Sequence, residues 1–234
     1  MRVLAVGAHP DDLEITCGGT LAKYTRRGDH VVMCHVTKGD KGHFHIPSEE
    51  LAEIRENEAR AAARIIGAET ISMGFLDGEV PAGDLGIMMK FVDVIRQVRP
   101  DVIVTHAPSD YHSDHTAVSK LVVDASFHAS VPYVRTQHEF HAKVAPIYHM
   151  DTYAGLGFSP CEFVDITETL EIKKEMLSQH QSQLVWLKEH DDYDMLDSLE
   201  TVAKYRGTQC GVRYAEGFAP CLLALRVSPA RLLP

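Results

Sequence analysis

Two short runs in this 234-residue chain hold the residue types that a mononuclear metal site needs: His9-Pro10-Asp11-Asp12-Leu13-Glu14 and, far along the chain, His112-Ser113-Asp114-His115. Two imidazoles and a carboxylate are what a borderline divalent cation takes when one position must stay open for water. His9 and Asp12 flank a tight turn held by Pro10, in which a ring nitrogen and a carboxylate oxygen can converge, and His115 completes a facial triad. Asp11, one residue off, points elsewhere and stays uncoordinated beside the open position, where a general base belongs. His112 lies about one helical turn before His115, placed to offer a ring N–H to a developing oxyanion. Asp114 suits an orienting or relay role, because a hydrogen bond to one of the histidines fixes its tautomer and raises its basicity. The set describes a metal-assisted hydrolase, with metal-bound water as the attacking group and Asp11 as the base that takes its proton.

Such residues are useful only if the fold brings them to one place. Apolar runs at Arg2 to Ala8, His30 to Thr37, Thr70 to Gly74 and Asp101 to His106 predict strands. Between them, helical patterns run over Gly19 to Arg27, Ser48 to Ile66 (with Ser48 as N-cap), Leu85 to Val98 and Ser113 to Ala129. That rhythm predicts an α/β fold, a Rossmann-like, mostly parallel β-sheet flanked by helices. After Val131 the pattern loosens: strands are expected at Ala145 to Met150 and Glu162 to Asp165, and helices near Glu168 to Lys188 and Tyr193 to Tyr205. Open parallel sheets bind ligands at the carboxyl ends of their strands, where the strand order reverses. Both runs follow strands, and if the first and fourth strands are neighbours across that switch point, the two loops face one crevice.

Each feature also has a plainer reading. A lone Asp-Asp pair is usually a turn or an N-cap, and a lone His-x-x-His spacing binds metal in a minority of cases. Their joint occurrence after two strands is harder to produce by accident. Gly18-Gly19-Thr20 could cradle a phosphate at a helix start, in a non-catalytic nucleotide or sugar-phosphate binding module. It lacks a Walker lysine and a Gly-x-Gly-x-x-Gly pattern, and the Asp11 carboxylate would repel the anion. A second rival keeps the metal and changes the substrate, giving an amidase on another N-acyl small molecule.

The composition, 45% hydrophobic and 24% charged, is that of one globular domain spanning residues 1–234. A formal net charge of −10 argues against nucleic acid or an anionic membrane as partner. Val3 to Ala8 is too short for a secretory h-region, no apolar run reaches membrane-spanning length, and five scattered cysteines form no Cys-x-x-Cys pair. A reducing cytoplasm is the expected location.

Ala8-His9-Pro10-Asp11-Asp12-Leu13-Glu14, Gly18-Gly19-Thr20, Arg55-x-x-Glu58 and Asp110-Tyr111-His112-Ser113-Asp114-His115 together resemble the LmbE-like or PIG-L family of zinc-dependent N-deacetylases, over about residues 1–130. The resemblance implies a three-layer LmbE-like sandwich with Zn2+ on His9, Asp12 and His115, Asp11 as base and His112 as oxyanion partner. It further implies that Arg55 reaches into the substrate pocket, whereas spacing alone allows a surface pair of Arg55 with Glu58. The implied substrate is an N-acetylglucosamine-type conjugate or related amino sugar. Ser113 stands where the family often has proline. Asp110 stands where the branch acting on mycothiol precursors has tyrosine, so Tyr111 is given no catalytic role. The Asp110-Tyr111 order is closer to the bacillithiol-type and uncharacterised bacterial branches, several of which are hexamers, and a homo-oligomer is expected by analogy. A facial triad also serves Fe2+.

The loops after Lys38, Gly74 and Met150 are expected to set the aglycone. His43 and His45 could overlook the pocket or simply be exposed. His149 and Asp151 could touch a sugar hydroxyl, and Trp186 is expected to pack a helix against the sheet or a neighbouring subunit rather than stack on sugar.

Overall fold

A computed structural model describes all 234 residues. In chain order its elements are β1 (Arg2–Gly7), α1 (Asp12–Arg26), β2 (His30–Thr37), α2 (Ser48–Ile66), β3 (Glu69–Phe75), α3 (Leu85–Val98) and β4 (Val102–Thr105). There follow α4 (Ser113–His128), β5 (Ile147–Met150), β6 (Glu162–Asp165), α5 (Leu170–Leu177), α6 (Gln181–Asp191), α7 (Met195–Cys210) and β7 (Ala215–Pro220). All seven strands join one sheet in the order β3-β2-β1-β4-β5-β7-β6. The first five are parallel, and β7 runs antiparallel to both of its neighbours. The strand order reverses between β1 and β4, which pair from Val3 opposite Val102 to Val6 opposite Thr105. The carboxyl ends of these two strands therefore stand side by side, as the sequence requires.

Helices cover both faces, giving three layers. Along β1, Val3 and Ala5 join the core cluster under α1, α5 and α7, while Leu4 and Val6 join the cluster under α3 and α4. Burial on both faces is why this strand reads as a continuous apolar run. It also anchors the register: each fully buried Leu or Val contributes roughly 1.5–3 kcal/mol, so a one-residue slip of β1 is heavily disfavoured. The loop that follows β1 inherits that precision.

Several expected boundaries move. The first helix starts at Asp12, not Gly19, with Asp12 and Glu14 in its first turn, where the helix dipole favours acids. Gly19 lies inside the helix because a Cβ there would come within 2.8 Å of the Ile166 side chain. Ser48 is not the N-cap of α2; Pro47 takes that position, and the Ser48 hydroxyl donates to Asp40 at 2.8 Å. The helix expected over Glu168 to Lys188 is broken at His180 into α5 and α6, the last helix runs to Cys210, and β7 was not expected at all. On β7, Glu216 accepts hydrogen bonds from the Gly19 and Thr20 amides at 2.9 and 2.7 Å and pairs with buried Lys173 at 2.6 Å. No helix is long and apolar enough to cross a membrane.

Candidate metal centre

The turn after β1 places Asp11 at φ 124°, a region that a residue with a Cβ enters only under strain. Asp11 occupies the cap position of α1 without capping it, so its carboxylate is left to the pocket while Asp12 turns inward. His9 Nδ1 lies 3.5 Å from Asp12 Oδ2, Asp12 Oδ1 lies 3.3 Å from His115 Nε2, and His115 Nε2 lies 3.3 Å from His9 Nδ1. Loops after β1 and β4 thus bring His9, Asp12 and His115 into one triangle.

The outer nitrogens of both rings face carboxylates. His9 Nε2 is 3.2 Å from Asp114 Oδ2, which also accepts the Gly78 amide at 2.7 Å, and His115 Nδ1 is 3.1 Å from Asp110 Oδ1, off the line of a well-formed hydrogen bond. With protons on these outer nitrogens, both inner nitrogens carry lone pairs directed at each other and at Asp12. Three such donors at 3.3–3.5 Å repel unless a cation sits among them. Protonation is the other way to relieve them: burial opposes it, yet hydrogen bonds to Asp114 and Asp12 raise His9 to about 10, and Asp12 and Asp110 raise His115 to about 9. Burial likewise works to raise Asp12, but His115 and His106 hold it well below the usual carboxylate range. The surplus of carboxylate charge suits a divalent ion.

Two overlapping groups, His9 with His112 and His115, and Asp12 with His106 and His115, have donor atoms within 4.8 Å of one another. His106 does not fit as a ligand, because its Nε2 accepts the Ala8 amide at 2.9 Å, leaving its ring stacked on His115 with centroids 4.0 Å apart. His112 caps α4, its Nδ1 accepting the Asp114 amide at 3.2 Å. That bond puts the ring proton on Nε2, and burial pushes the imidazole below its ordinary value, so at neutral pH it is an uncharged N–H donor.

Asp11 is nearly buried, and burial pushes its carboxyl up to about 6 with Asp12 adding, while Arg55 and His180 oppose. Arg55 donates to Pro10 O at 2.6 Å, Asp11 Oδ2 at 3.1 Å and Gly39 O at 3.2 Å. Glu58 instead accepts from the Ser182 amide and hydroxyl, which rules out the surface pair. Gly39 has φ 71° and no room for a Cβ, which would meet the guanidinium at 2.6 Å.

These residues floor a cavity of about 700 Å3, walled by Lys41, Asp77 and Tyr153 from the loops after β2, β3 and β5, together with Tyr111, Trp186 and Tyr193. All three loops expected to surround the substrate are present. Trp186 differs from expectation: it faces the cavity and touches the rings of His43, Phe44 and His190. His45 is exposed. His149 is buried with Nδ1 donating to His106 O at 2.7 Å, Asp151 is gripped by Arg206 at 2.6 and 3.0 Å, and neither lines this cavity. The Gly18-Gly19 amides do not form an open phosphate cradle, since Glu216 already accepts from Gly19 and Thr20.

Sequence reasoning missed Asp110, whose signal is a carboxylate five residues ahead of a candidate ligand, and it missed His106. It also missed a buried cluster beside Arg55. Glu14 and His180 lie 3.3 Å apart with all four of their side-chain polar atoms lacking a hydrogen-bond partner, as does His35 Nε2. Despite burial, His180 is raised and Glu14 lowered, each by the other. No signal within the sequence joins three residues from α1, β2 and the α5–α6 break.

A family model described as "PIG-L: GlcNAc-PI de-N-acetylase" matches residues 4–126. The diacetylchitobiose deacetylase of Thermococcus kodakarensis is 32% identical over 225 residues, covering 92% of this chain and 81% of the relative. The solved structure of N,N'-diacetylchitobiose deacetylase from Pyrococcus horikoshii superposes with TM-score 0.82 at 26% identity, covering 94% of this chain and 83% of that one. The same fold appears in GalB, a 4-carboxy-2-hydroxymuconate hydratase from Pseudomonas putida, with TM-score 0.82 at 23% identity, covering 98% of this chain and all (100%) of that one.

Proposed function

The chain belongs to the PIG-L, GlcNAc-PI de-N-acetylase, family, and from that membership we propose that it removes acetyl from an N-acetylglucosamine-type amino-sugar conjugate, with zinc as its metal. The supporting observation is the triangle of His9 Nδ1, Asp12 and His115 Nε2 with the uncoordinated Asp11 carboxylate at its side. A divalent ion held by those three residues would polarise the acetamide carbonyl and acidify water.

The remaining work falls to the chain. Asp11, with a carboxyl near 6, is ionised at neutral pH and takes a proton from the attacking water, then returns it to the leaving nitrogen. Arg55 and the strained turn hold that carboxylate in place. His112 directs its Nε2–H at the oxygen where negative charge develops. Asp114 and Asp110 keep His9 and His115 in the tautomers that turn their inner nitrogens toward the ion.

Fold alone does not choose this reaction, because a hydratase shares it. The bond cleaved is tested by assaying acetate release across N-acetylated sugars and N-acetylated amino acids, before and after chelation and zinc addition. Acetate from the sugars, lost on chelation and restored by zinc, is the expected result. Release from amino acids alone supports the amidase reading, and no release from any amide removes both. Restoration by Fe2+ but not by Zn2+ replaces the metal and keeps the chemistry. Five unbridged cysteines fit a cytoplasmic enzyme, and light scattering would test the expected homo-oligomer.

A further inference from the structure

Helix α6 is fastened at its start to three other elements. His180, at the break between α5 and α6, lies 3.3 Å from Glu14 of α1, and Ser182 gives its amide and its hydroxyl to Glu58 of α2 at 2.7 Å each. Gln183 Nε2 donates to Gly42 O, in the loop after β2, at 3.0 Å. The helix therefore enters at a fixed place, and Gln183, Trp186 and Leu187, three and four residues apart, turn one face of it to the cavity.

Gln183 is the polar member of that face, and only 5% of it is exposed. A carbonyl can only accept, so the bond to Gly42 settles which end of the amide is nitrogen. It leaves Oε1 and one Nε2 hydrogen with no partner in the protein. Gly42 permits the close approach: a Cβ there would meet Arg55 Nη1 at 3.0 Å and Gln183 Oε1 at 3.3 Å. The free amide oxygen thus stands near the guanidinium that donates to Asp11. Asp77, another acceptor lining the cavity, is already engaged, its two oxygens taking the Gly39 and Lys41 amides. An enclosed amide oxygen needs a donor from whatever fills the cavity. One free acceptor beside one free donor, both uncharged, matches a hydroxyl, which gives and takes a hydrogen bond; an ammonium offers no acceptor and a carboxylate no donor.

We infer that Gln183 reads one ring hydroxyl of the substrate, held in place for this contact by the fastening of α6, and so sets specificity for a polyhydroxylated ring. This rests on the amino-sugar reading given above, and the test tells the two apart. The zinc-loaded protein and its Gln183→Leu variant are compared on N-acetylglucosamine and on the analogues lacking one hydroxyl each. Acetate release gives the kinetics. Binding is read without turnover from the fluorescence of Trp186, the single tryptophan, on the same helix face. Gln183→Leu should raise KM for N-acetylglucosamine about tenfold with kcat held. One deoxy analogue should carry the same penalty on the unaltered protein and no further penalty on the variant. Gln183→Met, which keeps the length and loses both polar atoms, gives the same cycle where leucine does not fold. Ser182→Ala, which loosens the fastening and removes nothing from the cavity, should affect all the sugars in equal proportion. Penalties that add for every analogue, or a loss in kcat alone, overturn the contact. Fluorescence that responds to N-acetylglucosamine and not to one deoxy analogue, with no acetate from any sugar, keeps the contact and overturns the reaction. Acetate from all the sugars with no hydroxyl preference does the reverse, and silence in both readouts removes both.

Discussion

In the half of the sheet made of β1 to β4, the donors of the candidate metal site come from the turn after β1 and from the first turns of α1 and α4, at the carboxyl ends of strands; in the half made of β5 to β7, no side chain reaches that site. The second half instead supplies Tyr153 from the turn after β5, Trp186 from α6 and Tyr193 from the connection between α6 and α7, all lining the cavity. The difference teaches that the parallel half fixes reacting groups to within ångströms, because buried strands leave their loops little freedom. The antiparallel half decides what else fits. The two can be disturbed separately.

The largest effects should come from the first half. His115→Ala is expected to lose bound metal and on the order of a thousandfold or more in kcat/KM. Asp11→Asn should retain the metal and lose about 10²–10⁴-fold. Equal metal loss in both, measured by elemental analysis, would erase the division of roles. Next comes the second half: Arg206→Leu strands the Asp151 carboxylate in a buried site and should cost about 3–5 kcal/mol in denaturant unfolding. Metal affinity should hold in that variant, and a parallel fall would show that the halves are not separable. Asp110→Asn should weaken the metal about 10–100-fold in competition with a chelating dye, with little change in stability.

The smallest expected effect is a pH slope. Burial pushes His149 below its ordinary value, although its bond to His106 O pulls the other way, so it stays neutral in the fold. The unfolded chain takes up that proton with a pKa of about 6.5, so stability is full above that value and declines as pH falls from there toward 5. His149→Asn, which keeps a donor for the carbonyl, should flatten the slope by at most about 1.4 kcal/mol per pH unit.

Periodic segments were legible. β2, β6, α2 and α3 have the limits that their patterns predict, because apolar spacing and flanking glycines or acids are local signals. The sequence made the meeting of His9, Asp12 and His115 conditional on β1 and β4 being neighbours, and the structure pairs those two strands. What failed depends on tertiary neighbours. Gly18-Gly19 reads as a helix start, yet Gly19 lies inside α1 in close approach to Ile166, visible only once the segment after β6 is in place. β7 carries Gly217 because a Cβ there would strike Pro160, and that glycine, with Pro220, hid the strand. Trp186 looked like packing because an amphipathic helix presents the same residues to a core or to a cavity. In the sequence Asp110 reads only as a departure from a family pattern, and it takes the fold to set its carboxylate 3.1 Å from His115 Nδ1.

The bond from Glu216 to the amides of Gly19 and Thr20 spans nearly the whole polypeptide. As the ribosome delivers the chain, the helix behind the Asp11-Asp12 turn waits for the last strand before its inner surface is complete. Loop closure over such a separation is slow compared with forming local helices. A nascent chain stopped short of β7 would therefore carry every candidate ligand and still lack the scaffold that aligns them, so any metal capture at this site is expected late in biosynthesis.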